Sequence, residues 1–202
     1  MNEKPILFNA EMVNAILSGR KTQTRRIISE KTLHLFGVAA SAGECHPLEL
    51  CDDRSQSYYL EFCPLGKPGD QLWVRETFAS GLCTESTLAY RATHKMEDLE
   101  EGWGETIKWT PSIHMPRWAS RINLLITGVR VERLRDISEQ DAMAEGVSLV
   151  ETPASIKSFG EAFGLTHCPK ISAFANLWQS IYGSWGDNPW VWCITFERME
   201  AK

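Results

Sequence analysis

The chain has no surplus of positive charge. Its 202 residues carry 21 Lys and Arg against 26 Asp and Glu, a formal net charge of −5. That excludes a protein that coats nucleic acid by bulk charge. It also has no apolar run of the ~18–20 residues that a membrane helix needs. Its best runs, residues 122–129 and 190–196, have strand length, so no membrane partner is expected. The segment MNEKPILFNAEMV has no basic stretch leading into an apolar core, so no signal peptide and a cytoplasmic location are expected. The six cysteines form no CxxC pair. A ligand set of Cys45, His46, Cys51 and Cys63 can be drawn, but its spacing fits no zinc template. Reduced, unpaired thiols, no metal and no cofactor are the expectation. There is no internal repeat and no low-complexity linker. At 43% hydrophobic and 23% charged, the chain is not of the disordered class.

What charge there is lies unevenly. Residues 1–26 hold five basic side chains (Lys4, Arg20, Lys21, Arg25, Arg26) and two acidic ones (Glu3, Glu11), a local surplus of three, so the remainder carries −8. Eight tryptophans accompany this focus. A small basic centre in an acidic, Trp-rich chain suits a compact anionic or aromatic ligand better than a long polyanion track.

Residues 4–8 read as a short strand. Asn9 can cap a helix with Met12, Val13, Ile16 and Leu17 on one face, stopped at Gly19. Residues 30–63 have weak periodicity and read as loop or insertion. After the turn signal Lys67-Pro68-Gly69-Asp70, residues 71–77 read as a strand with Leu72 and Val74 on one face. Residues 79–118 mix loops and short strands, 88–93 the best of them. Residues 120–134 read as a long strand whose alternation slips near Gly128, the mark of a bulge. Residues 137–147 read as a short helix capped by Ser138 and Asp141 and stopped at Gly146. Residues 172–182 carry Phe174, Leu177, Trp178 and Ile181 at helical spacing, and a last strand follows Pro189. The order lacks the βαβ alternation of a doubly wound sheet. It points to an α+β, mainly β chain: one domain over 1–202, built as a small mixed barrel with peripheral helices and insertions at about 30–63 and 79–118.

The segment Gly19-Arg20-Lys21-Thr22-Gln23-Thr24-Arg25-Arg26 is the most loaded stretch. A lysine among arginines, if buried, has its charged form disfavoured and can act as a general base near neutrality. A threonine hydroxyl in reach is then a candidate nucleophile, and the arginines can hold an oxyanion or a phosphate. The plainer reading is a solvated basic turn, which is what most such clusters are. In a flat strand Lys21 and Thr24 point to opposite faces, so the chemical reading needs a bend after Gly19. Glu145, at the C-terminal end of the 137–147 helix, stands where the dipole disfavours a carboxylate and could shuttle protons, although most such glutamates are merely solvated. Trp73, Arg75, Glu76 and His114 could stack on or hydrogen-bond a base, or serve as packing. Trp178, Trp190 and Trp192 fit the core better.

Taken together, ILSGRKTQTRR, the KPGDQLWVRET strand, the DISEQDAMAEGV helix and a closing Trp-rich strand resemble the ASCH domain family. The resemblance implies a PUA-like β-barrel, and the long form, with WTPSIHMPRWASRI in its middle, looks like versions from bacteriophages and prophages. Small bacterial members similar to this chain are amidohydrolases that remove the acyl group of N4-acetylcytidine. On that resemblance Lys21, Thr24 and Glu145 are catalytic; Arg20, Arg26, Trp73, Arg75, Glu76 and His114 are, by their own chemistry, the expected contacts to a nucleoside substrate. Two rival readings stay open: an RNA or modified-nucleoside binding module, and a metal-independent ribonuclease using His114.

Overall fold

The computed structural model describes residues 2–50, 53–81, 88–94, 108–147, 154–165 and 168–200. Its centre is a five-stranded mixed sheet built from β1 (Glu3–Leu7), β3 (Gln71–Arg75), β6 (Asn123–Arg133), β7 (Trp190–Arg198) and β2 (Gln23–Ile27), in that spatial order. β1 runs parallel to β3, and the other neighbours are antiparallel. A separate hairpin joins β4 (Phe78–Ser80) to β5 (Leu88–Tyr90). The helices are α1 (Ala10–Leu17), α2 (Glu30–Ser41), α3 (Asp53–Leu60), α4 (Glu139–Ala144), α5 (Ala154–Ala162) and α6 (Pro169–Tyr182). The fold is α+β, as expected, but the described sheet is not closed by backbone hydrogen bonds. β1 and β2 are its two ends, and a guanidinium spans them: Arg26 on β2 donates to the carbonyl of Leu7, the last residue of β1, at 2.8 Å.

The apolar pattern explains this arrangement. β7 is buried on both faces, which is why its sequence is a nearly unbroken apolar run. Trp190, Trp192, Ile194 and Phe196 join the larger core with Ile6, Leu72, Val74, Leu124 and Ile126. Val191 faces a second cluster with Phe174, Ala175, Trp178 and Trp185. The slip near Gly128 is a bulge: Ile126 pairs with Phe196 and Gly128 with Thr195, leaving Thr127 as the extra residue. The change of phase keeps Val131 in the core and carries Arg130 and Glu132 to the opposite face, beside β2.

Residues 30–63 are not a loop. They hold α2, a 3-10 turn at Leu48–Leu50 and α3, and Phe36, Ala39, Leu48, Tyr59 and Cys63 join the core of the sheet. Phe36 stacks against Tyr59 at 4.7 Å and meets Trp192 edge-on at 6.1 Å. Part of the 79–118 stretch lies outside the described residues, as does Cys51 of the drawn zinc set. Cys45 and Cys63 are buried free thiols. Among the described residues no group of three His, Cys, Asp or Glu is placed to hold a metal, and no helix is long and apolar enough to cross a membrane.

Candidate active site

The loaded segment is positioned by two helix ends. Asn9 caps α1 through Met12 N at 2.8 Å. At the other end Gly19, at φ +74°, reverses the chain, and the N–H groups of Arg20 and Lys21 both reach the Ala15 carbonyl. Lys21 therefore lies in a bend ahead of β2. α4 is capped by Ser138, whose hydroxyl accepts from Asp141 N at 3.1 Å. It ends at Glu145 with Gly146 at φ +87°. A Cβ on Gly146 would sit 2.8 Å from Lys21 Cβ and 2.9 Å from Ala15 Cβ. Only glycine lets this turn close on the bend. The two bends meet in an isolated antiparallel bridge, Lys21 with Glu145.

The side chains meet as well. Lys21 Nζ donates to Glu145 Oε2 at 2.7 Å and to the Glu145 carbonyl at 2.9 Å. Arg25 Nη1 donates to the other carboxylate oxygen, Oε1, at 3.1 Å. Both cationic side chains are fully buried and Glu145 is 5% exposed. Two cations thus hold the carboxylate that the helix dipole alone would disfavour. Arg25 is itself held by Gln23, Glu132 and Asp141. Burial pushes the Lys21 ammonium below the ordinary lysine value of 10.5; Glu145 opposes that push, and Arg26 and Arg25 add to it. For Asp141 burial works the other way, but the Ser138 hydroxyl, Arg130, Gln23 and Arg25 hold its carboxyl below the usual value. Cys193, opposite Arg25 on β7, is pushed up to about 12 by burial despite Arg25, so it is an inert thiol.

A cavity of about 750 Å³ opens beside this network, lined by Thr24, Arg26 and Glu145 together with Phe8, Phe174 and Trp178. Its size is that of a small-molecule site, ~300–1,000 Å³. Thr24 is 3% exposed, and among the described residues no hydrogen bond engages its hydroxyl. Lys21 stands behind the wall, its Nζ 5.6 Å from the centre of the Phe8 ring that faces the cavity. No hydrogen bond joins Lys21 to Thr24. The lysine spends two of its three donors on Glu145 and keeps a third.

The other expected contacts stand elsewhere. Arg20 is exposed and bonds Ser18 and the Gly146 carbonyl. Trp73 packs under Arg75 and Arg117, and Arg75 donates to the Ile113 carbonyl. Glu76 is buried and neutralised by Arg121 at 2.9 and 3.0 Å. His114 is exposed on a 3-10 turn. None of these five lines the cavity. Conversely, Phe8, Glu132 and Asp141 carry no local signal for their places. Phe8 reads as the end of a strand and Asp141 only as a cap, and Glu132 reaches Arg25 through strand register.

No family model matches the chain, and no curated protein matches it either. Two solved structures do. One is an ASCH domain. It comes from Lactobacillus crispatus, is 14% identical, and the match covers 98% of this chain and 79% of that one with a TM-score of 0.37. The other is an Enterococcus faecalis protein described as DUF984, 13% identical over 98% of this chain and 80% of that one, with a TM-score of 0.39. Similarity at this level leaves residue roles to the geometry.

Proposed function

We propose that the protein is an amidohydrolase acting on N4-acylated cytosine, with Lys21, Thr24 and Glu145 as its catalytic residues. The supporting observation is the buried Lys21–Glu145 pair behind a cavity of about 750 Å³, roomy enough for a nucleoside, onto which Thr24 and Glu145 open. The substrate class comes from the ASCH resemblance of the sequence string.

The reaction balances within the three side chains. The resting ion pair passes one proton from Lys21 to Glu145 once bound substrate displaces water from the cavity, leaving a neutral amine and a carboxylic acid for the reaction. The amine takes the Thr24 proton as Oγ1 attacks the acyl carbonyl. Arg26, on the same cavity wall, offers positive charge to the tetrahedral oxyanion. As the C–N4 bond breaks, Glu145 protonates the leaving amine and becomes a carboxylate. That carboxylate then accepts a proton from the water that attacks the acyl-Thr24 ester, and the Lys21 ammonium reprotonates Thr24 as acetic acid leaves. Arg25, bound to Glu145 Oε1, fixes the carboxylate so that Oε2 meets Lys21.

The test is acetate release from N4-acetylcytidine. Wild type should turn over, and Thr24→Ala and Lys21→Met should each lose at least about a hundredfold, the scale of a lost nucleophile or base. Undiminished turnover by Thr24→Ala would remove the nucleophile. No turnover by wild type on any N4-acylated cytosine would remove the activity.

A further inference from the structure

The cavity is lined by a cation that acyl transfer does not use, Arg91, beside the oxyanion-facing Arg26. Arg26 spends its guanidinium on two neutral acceptors, the Leu7 carbonyl and the Tyr182 hydroxyl. Arg91, on the turn after β5, also lines the cavity. Its backbone N–H is tied to the Thr77 carbonyl at 3.0 Å, and its exposed guanidinium has no acceptor among the described residues. Two carboxylates line the same space. Glu145 is committed to Lys21 and Arg25, and Glu11 is exposed and forms no ion pair with Arg26 or Arg91 among the described residues.

The N-terminus of α1 faces the same cavity through Asn9, Ala10, Glu11 and Met12. Asn9 satisfies Met12 N, while the N–H groups of Ala10 and Glu11 find no acceptor among the described residues. Such an end favours an anion. Thr77 and Ser112 bring two hydroxyls to this space, and the buried Thr24 hydroxyl, without a hydrogen-bond partner among the described residues, opens on the same cavity. The Arg91 guanidinium, the Ala10 and Glu11 N–H groups and the hydroxyls of Thr77 and Ser112 together make the donor set of a phosphate site.

We propose that this part of the cavity binds a phosphate, and that the substrate is an N4-acylated cytidine monophosphate. The proposal rests on the N4-acyl-cytosine reading above and specifies its substrate. A mononucleotide fits better than a polymer. The cations sit together on one cavity, while the chain beyond residue 26 carries −8 and repels an extended polyanion.

Binding can be read without turnover by titrating wild type calorimetrically with the two reaction products, cytidine and cytidine 5′-monophosphate. The monophosphate should bind about tenfold tighter at low salt, the scale of a charge-assisted hydrogen bond, and the advantage should shrink as salt rises. Arg91→Gln should abolish the advantage and leave cytidine affinity unchanged. Equal affinity for the two ligands, or an advantage that survives Arg91→Gln, overturns the phosphate site. If neither ligand binds, the cytosine reading fails, and inorganic phosphate decides the site by itself. Phosphate binding that Arg91→Gln weakens keeps it, and absence of phosphate binding overturns it.

Discussion

The proposed chemistry turns on Lys21, and its titration exposes that side chain. Its folded-state pKa lies below the ordinary value of 10.5. Between those two values the unfolded chain binds more protons than the folded one, so this residue's contribution to stability rises with pH across that window. Lys21→Met should flatten that rise in denaturant midpoints measured at increasing pH. In wild type the basic limb of activity should fall within the same window, below 10.5. Removing the partner should cost more. Glu145→Gln leaves a buried ammonium without its counter-charge and should lose about 3–5 kcal/mol of stability, the scale for a broken buried pair. Gly146→Ala combines a left-handed backbone with two contacts under 3 Å. Overpacking alone accounts for ~1–3 kcal/mol, and chemical denaturation would register it. At this scale the sequence was only partly legible. Gly19 and Gly146 announced both bends. The Lys21–Glu145 contact joins residues 124 apart, and no spacing rule reaches that far; it came from the family resemblance. Arg25 was visible as charge, but strand register and a bulge bring it Glu132, while Asp141 and Glu145 come from α4 and its cap.

Secondary elements were legible wherever one face is buried and the other is not. β3 alternates cleanly, α6 shows its Phe174–Trp178 stripe, and the slip in β6 is the Thr127 bulge. α2 shows no clear apolar period because little of it is buried: Phe36 and Ala39 face the core while Leu35 and Val38 remain exposed. In the proposed mechanism α4 matters most, since its C-cap is Glu145. At six residues it is too short to persist on propensity, so its cap should weigh heavily. Ser138→Ala should cost about 1 kcal/mol and lower turnover by loosening Glu145. Unchanged stability and rate would show that bridge and ion pairs alone hold the helix end.

At the scale of the molecule, the curled sheet leaves its seam between β1 and β2, and the cavity lies along that seam with Arg26 across it. The −8 carried beyond residue 26 leaves the basic focus isolated there. Because residues 30–63 share the core of the sheet, the chain should unfold in one transition. Phe36→Ala should lower stability everywhere by about 3–5 kcal/mol without splitting that transition, as circular dichroism and tryptophan fluorescence would show by coinciding midpoints. The central claim is that the Lys21–Glu145 pair serves an amide-cleaving threonine. The direct measurement is acetate released from N4-acetylcytidine by wild type beside Thr24→Ala. Steady release by wild type with at least a hundredfold loss in the variant is the predicted result, and equal rates from the two proteins would contradict it.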